Sequence, residues 1–455
     1  MRSMVFKRDE LKYFRFLLIC FLLFTVTTSL YSKEFNKYDR IYALSNIWKE
    51  MSYSYAFPDK LFGTLNTDSL YKCYLPLVEK DMDYYDFYKI LSSYISHFND
   101  GHTRILVSSK IVDTPPVFTT LVEDKVVINN VAKDLEKDIP IGSEVIKVNG
   151  IDVDDYIRDS VFVYISASTE RFKWNKSVLE LLRGRTNSAV TVTIKSYNGK
   201  ERDVKLIRNY EQIKKEIQLV NPDLPINVRF IGKKKNISYI KLSSFLYGNK
   251  NVIDSTFLSN IKNIRNSKGL IIDLRENRGG SDASWNMIAD YLLKEKEYTV
   301  PVKAYSRKYI PAYIEFGKYI PELNDFTKGT AMEEIKYSNY INKVADSLKL
   351  EQPLIILTGK YCGSSTENFI MLMKYVKKAL IIGETTAACC SSPKFYSIND
   401  FLGFQISSVK YVLLDGTQPN DVGITPDINV REEYKDYCKG YDRALMTALE
   451  KLDNI

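Results

Sequence analysis

Two residue sets in this 455-residue chain carry side chains able to work on a carbonyl. The first is Ser364-Ser365-Thr366-Glu367, reached through the apolar run Leu354-Ile355-Ile356-Leu357 and then Thr358-Gly359-Lys360-Tyr361-Cys362-Gly363. An apolar run bounded by glycine predicts a buried strand, and Phe369, Ile370, Leu372, Met373 and Val376 then recur at helical spacing. Ser364 therefore falls where strand turns into helix. A hydroxyl held there has free backbone N–H groups beside it and the positive end of the helix dipole beneath it, an arrangement that favours an oxyanion. Ser-x-x-Glu is equally a plain capping box, in which serine and glutamate only satisfy first-turn N–H groups. The second set is Asn99-Asp100-Gly101-His102-Thr103, a turn-type cluster ahead of the strand-like Ile105-Leu106-Val107. His102 is one of two histidines, and a loop after glycine can aim it outward as a proton carrier. His97 sits at the edge of a helical pattern and reads as a structural or surface residue.

The segments that must position these residues differ in pattern. From about Tyr38 to Asn99 the periodicity of Tyr84, Phe87, Tyr88, Leu91, Tyr94, Ile95 and Phe98 predicts a small helical cap. From about Pro116 to Arg208, short strands surround one helix near Phe172 to Leu182, with Asn-Gly turns at Asn149-Gly150 and Asn198-Gly199. From about Ile226 onward, strands alternate with helices, which predicts an α/β layer with a mostly parallel sheet. One of these strands, Gly269 to Arg275, runs into Glu276-Asn277-Arg278-Gly279-Gly280, where paired glycines let backbone N–H groups approach a ligand. No phosphate-binding loop or dinucleotide fingerprint is present. A Tyr/Lys/Glu-rich insertion, Ser306 to Leu348, is expected to be part helical.

Composition is that of a globular protein with several domains, 45% hydrophobic and 26% charged. Lys7, Arg8, Lys12 and Arg15 precede an apolar run from Phe16 to Leu30, which matches a secretory signal over residues 1–32 and predicts export. The run is short for a membrane span, so membrane attachment is expected only if the segment is retained. The formal charge of +8 is spread among acids, and no nucleic-acid motif appears, so nucleic acid is excluded as a partner. The cysteines have neither zinc-site nor disulfide-framework spacing, and neither metal nor cofactor is called for.

Five stretches in order carry a resemblance. Asn99 to Thr103, Asp273 to Gly280, Gly363 to Glu367, Ile382-Gly383-Glu384-Thr385-Thr386 and Val422-Gly423-Ile424-Thr425-Pro426-Asp427 resemble the carboxyl-terminal processing peptidases and the tricorn core protease. The middle unit, with Gly142-Ser143-Glu144-Val145-Ile146-Lys147-Val148-Asn149-Gly150, resembles the PDZ domains of secreted bacterial proteases, which add a peptide strand to their own sheet. The resemblance implies a multi-domain α/β protein: signal peptide 1–32, helical cap 33–115, PDZ-like β-rich domain 116–210 and catalytic core 226–455 with a crotonase/ClpP-like layered sheet. It implies a secreted serine endopeptidase of the bacterial periplasm, cell envelope or exterior, acting on polypeptides that are held by their C-termini at the PDZ-like domain. The alternative is a weak or inactive peptide- or ligand-binding protein on the same fold.

Carried over by residue, Ser364 is the nucleophile, and Ser365 with Gly279 or Gly280 forms the oxyanion hole. Processing peptidases activate the serine with a lysine about 25 residues downstream, but Cys389 stands at that position and Lys394 is five residues off. The tricorn branch uses a histidine steadied by a glutamate, which leaves His102 as general base. The glutamate position falls on Asn420, whose amide oxygen is expected to orient the ring; Asp421 is its neighbour. Asn420→Glu is accordingly expected to restore the family charge. The serine that precedes the histidine in the tricorn branch is Gly101 here.

Overall fold

The computed structural model describes residues 35–222, 224–233, 236–294, 302–336 and 344–454. The expected signal segment and part of the 306–348 insertion lie outside them. The architecture is multi-domain α/β.

The cap is four helices, Lys37–Ser54, Pro58–Thr64, Thr67–Val78 and Tyr84–Ser96. Asn36 starts the first by accepting from Tyr38 N–H at 2.9 Å, and Asp83 starts the last by accepting from Asp86 N–H at 3.0 Å, as short polar side chains do at helix N-termini. Their buried faces, with Leu44, Ile47, Met51, Phe87, Leu91 and Tyr94, close over Leu402, Phe404 and Ile406. Those three come from the strand Leu402–Leu413, some three hundred residues later in the chain. The strand Arg104–Val107 then pairs antiparallel with it, Ile105 opposite Phe404. That register sets residues 100–103 of the cap against Ser407 of the core. Truncating Phe404 to alanine would cost about 3–5 kcal/mol through the cavity it leaves and would loosen this contact.

The middle unit is an antiparallel sheet in the order Val117–Val122, Lys125–Val131, Glu144–Val148, Ala189–Lys195, Glu201–Ile207. Both Asn-Gly turns form: Asn149 and Gly150 have φ of 51° and 81°, and Lys195 faces Glu201 across the second. The helix Glu170–Glu180, capped by Thr169, lies along the edge strand Val117–Val122, where Thr119 Oγ1 donates to Val178 O at 2.5 Å. The outer edge of that strand meets the core. Leu121 N–H donates to Tyr361 Oη at 3.2 Å, Lys360 Nζ donates to Leu121 O, and Arg171 donates to Thr385 O and Thr386 O.

The core sheet runs Ile226–Ile231, Ile237–Leu242, Gly269–Asp273, Leu354–Thr358, Ala379–Gly383, Ile428–Asn429. Its first pair is antiparallel and the rest are parallel. Every residue of Gly269–Asp273 and Leu354–Thr358 is buried, which is why these strands read as continuous apolar runs rather than alternating ones. One face packs through Ile272 and Ile356 against Phe257, Ile288 and Phe369 of three helices. The other packs through Ile271 and Ile355 against Ala448 and Leu452 of the helix Arg443–Asp453. The Gly279-Gly280 loop and the Ser364 turn both leave this layer at the C-terminal ends of its parallel strands, where open α/β sheets place ligands. In the insertion, the described part holds the strands Val302–Arg307 and Met332–Ile335 and the short helix Pro311–Phe316.

Candidate active site

The strand Leu354–Thr358 ends and the helix Ser365–Tyr375 begins around a strained residue: Ser364 has φ 56° and ψ −128°. A non-glycine residue at positive φ costs on the order of 1–3 kcal/mol and persists only where neighbours fix it. Here Ser364 N–H donates to Cys389 O at 2.8 Å and reaches Glu367 Oε2 at 3.2 Å. Glu367 is fully buried and also accepts from Ala388 N–H, Cys389 N–H and Thr386 Oγ1. Burial pushes its carboxyl up to about 7 against the pull of these four donors. The capping-box geometry is therefore real, and it clamps residues 386–389 onto the turn that presents Ser364.

The glycine loop closes on the same turn. A Cβ on Gly279 would stand 2.7 Å from Ser364 Cβ, and one on Gly280 would stand 2.2 Å from the Phe245 carbonyl, so the backbone approach needs glycine at both places. The two glycines differ in their N–H groups. Gly279 N–H is taken by Asn277 Oδ1 at 2.9 Å, whereas Gly280 N–H and Ser365 N–H donate to no protein acceptor among the described residues. Of the two candidates, Gly280 has the available donor. The Ser365 hydroxyl is held elsewhere, donating to Asp282 at 2.6 Å and accepting from Trp285 Nε1 at 2.9 Å.

His102 is buried beside this turn. Its Nδ1 lies 2.9 Å from Ser391 Oγ and 3.3 Å from Cys389 Sγ, and its carbonyl accepts from Gln405 Nε2 at 2.6 Å. Ser364 and His102 thus meet across one residue, Cys389, through its carbonyl and its thiol. Burial pushes the imidazole down to about 4, Asp100 pulling the other way and Arg104 and Lys176 adding to the fall. The ring is neutral near pH 7, as a general base must be. Burial, then Glu367, raises the Cys389 thiol well above its ordinary range, so it stays protonated and is no nucleophile.

The expectation for Asn420 is corrected. The hydrogen-bond partners of the His102 ring do not include Asn420. That residue is fully buried, with Nδ2 3.5 Å from Asp100 Oδ1 and its amide oxygen without a hydrogen-bond partner among the described residues. An amide next to a carboxylate turns its donor toward it. Asp421 points outward and pairs with Lys60 at 3.3 Å. Lys394 is exposed on the strand Ser391–Ser397, over the Tyr396 ring. Ser391 and Ser407 are not legible in the sequence as neighbours of the ring, because serines in strands carry no spacing signal; Asp100 stands inside the Asn99 to Thr103 stretch with no local signal that separates it from a turn residue.

Residues 236–430 match the family model for peptidase family S41. The chain is 27% identical over 253 residues to carboxyl-terminal-processing peptidase 2, chloroplastic, of Arabidopsis thaliana, covering 54% of this chain and 41% of that protein. It is 24% identical over 274 residues to a carboxy-terminal-processing protease of Bartonella bacilliformis, covering 59% of this chain and 52% of that protein. The chain thus spans about half the length of the curated relatives it matches. In three dimensions it resembles mature CPAF complexed with lactacystin, with a TM-score of 0.66 at 13% identity over 91% of this chain and 97% of that one, a likeness of fold. The match to peptidase family S41 thus takes in the parallel strands of the core sheet, the glycine loop and the Ser364 turn, and the chain is similar to that family over residues 236–430.

Proposed function

We propose that the protein is an exported serine endopeptidase of the carboxyl-terminal-processing type, with Ser364 as nucleophile and His102 as general base. The observation that carries this reading is the strained Ser364 turn, with two undonated N–H groups at Gly280 and Ser365 beside it and a neutral, buried imidazole sharing Cys389 with it. In this reading Ser364 Oγ attacks the peptide carbonyl and His102 Nε2 takes its proton. The carbonyl oxygen becomes an oxyanion between Gly280 N–H and Ser365 N–H. Collapse expels the amine with the proton returned by His102, and water repeats the sequence to release Ser364. Each oxyanion donor is worth about a hundred- to a thousandfold in rate.

The substrate in this reading is an extended polypeptide. The groove between Val117–Val122 and Glu170–Glu180 holds a cavity of about 220 Å³ whose apolar wall of Leu121, Val126, Ile157, Trp174 and Val178 suits the side chain of an extended peptide and whose charged lining is Asp124, Asp154 and Arg158; in this reading it is the PDZ-like site for a substrate C-terminus. Tyr361 and Lys360 already occupy the backbone of Leu121, so strand addition there requires them to let go. Casein digestion by the purified protein and by Ser364→Ala tests the assignment: the parent is expected to digest casein and the variant to lose it by several orders of magnitude. A parent that binds peptide and never cleaves it would make the protein an inactive binder on this fold.

A further inference from the structure

Behind the His102 ring runs a line of hydroxyls that ends on a buried carboxylate. Nδ1 lies 2.9 Å from Ser391 Oγ, Ser391 Oγ lies 2.6 Å from Ser407 Oγ, and Ser407 Oγ donates to Asp100 Oδ2 at 2.6 Å. All four residues are buried, Asp100 and Ser407 completely. Thr103 Oγ1 also donates to Asp100 Oδ2, at 2.5 Å, and Asn420 Nδ2 faces Oδ1 at 3.5 Å. Asp100 is thus met by donors on every side the described residues offer, and acts as the accepting end of the line.

A hydroxyl has one proton to give and two lone pairs to accept with. The Ser407 proton goes to Asp100, so between the two serines Ser391 is the donor. The Ser391 proton is then committed to Ser407, and toward His102 Ser391 can only accept. Nδ1 must therefore carry the ring proton, and Nε2 is left bare. The other neighbour of Nδ1 is Cys389 Sγ at 3.3 Å; a protonated thiol is a weak donor as well as a weak acceptor, so it does not outweigh the Ser391 hydroxyl in either direction.

We infer that Asp100, acting through Ser407 and Ser391, fixes His102 in the Nδ1–H tautomer, so that these three are positioning residues for the base. This rests on the proposed role of His102. It assigns the place of the missing family glutamate to a carboxylate two residues before the histidine, reached through two neutral hydroxyls. Such a line orients the ring and leaves the imidazolium without a carboxylate in contact. Its loss should therefore lower turnover and leave substrate binding in place.

Long-range proton–nitrogen correlation spectra of labelled parent protein near neutral pH test this directly. With only two histidines in the chain, a His97→Gln sample assigns the pair. The expected result is Nδ1 protonated and Nε2 bare in His102; the reverse tautomer would overturn the inference. In Ser391→Ala and Ser407→Ala the ring is expected to lose this preference, with kcat down about ten- to hundredfold and KM within about twofold, and Ser391→Thr is expected to recover most of the loss. Parent-like kcat and tautomer in both alanine variants would sink the hydroxyl line while leaving the peptidase reading intact. A parent that fails to cleave casein or react with fluorophosphonate would sink the peptidase reading, and the parent spectrum, which needs no activity and no variant at the line, would still decide the tautomer.

Discussion

Gly101 and Cys389 share one space: a Cβ on residue 101 would stand 2.7 Å from Cys389 Sγ and 3.1 Å from its Cβ. The same cysteine touches His102 through its thiol and Ser364 through its carbonyl, so residue 389 lies between the two. This accounts for one departure from the family pattern: a serine at 101 would not fit against the thiol. Gly101→Ala is expected to cost about 1–3 kcal/mol by overpacking, with a smaller cost in a Cys389→Ala background. Urea unfolding of the two single variants and the double variant measures the coupling; strict additivity would show that the contact does not matter.

The pH profile follows from the buried ring. His102 works as a base only when neutral, and its folded-state pKa lies near 4 rather than 6.5. Activity attributable to it is therefore present above about pH 5 and lost as pH falls through about 4. The acid limb of kcat/KM reads this in the free enzyme. A limb centred near 6.5 would mean that the ring is solvated.

Glu367 is predicted to hold the Ser364 turn more than to take part in chemistry. Glu367→Gln puts an NH₂ group against a set of N–H donors from residues 364, 388 and 389. The loss of stability is expected to be about 2–4 kcal/mol, one or two buried donors being left unsatisfied. Thermal unfolding checks it, and an unchanged melting temperature would remove Glu367 from the clamp.

Asn420 gives a prediction opposite to the one its alignment position suggests. Because its amide meets Asp100 and not His102, Asn420→Glu sets a second carboxylate beside a fully buried one. That is expected to lower both activity and melting temperature below those of Asn420→Ala, by like-charge repulsion and desolvation. Activity at or above the parent level in Asn420→Glu would return residue 420 to the ring.

The difference between what the sequence made legible and what it did not is one of distance along the chain. Strands such as Leu354–Thr358 and the Ser364 turn declare themselves locally, by an apolar run ending in glycine, and so do the cap helices and Asn-Gly turns. The pairing of Arg104–Val107 with Leu402–Leu413 does not, because a strand pattern names no partner. The hydroxyl line depends wholly on that pairing: Ser407 reaches Asp100 only once Ile105 stands opposite Phe404. The side to which Asn420 turns its amide is likewise decided by a carboxylate three hundred and twenty residues away. Gly279 and Gly280 could be separated only when Asn277 was seen to take one of their two N–H groups.

The site of covalent modification decides whether Ser364 is the nucleophile. Treatment of the purified protein with a fluorophosphonate, followed by proteolytic peptide mapping by mass spectrometry, is predicted to place the adduct on Ser364, with labelling abolished in Ser364→Ala and strongly slowed in His102→Ala. An adduct on another residue, or a folded protein that takes up none, would contradict the account.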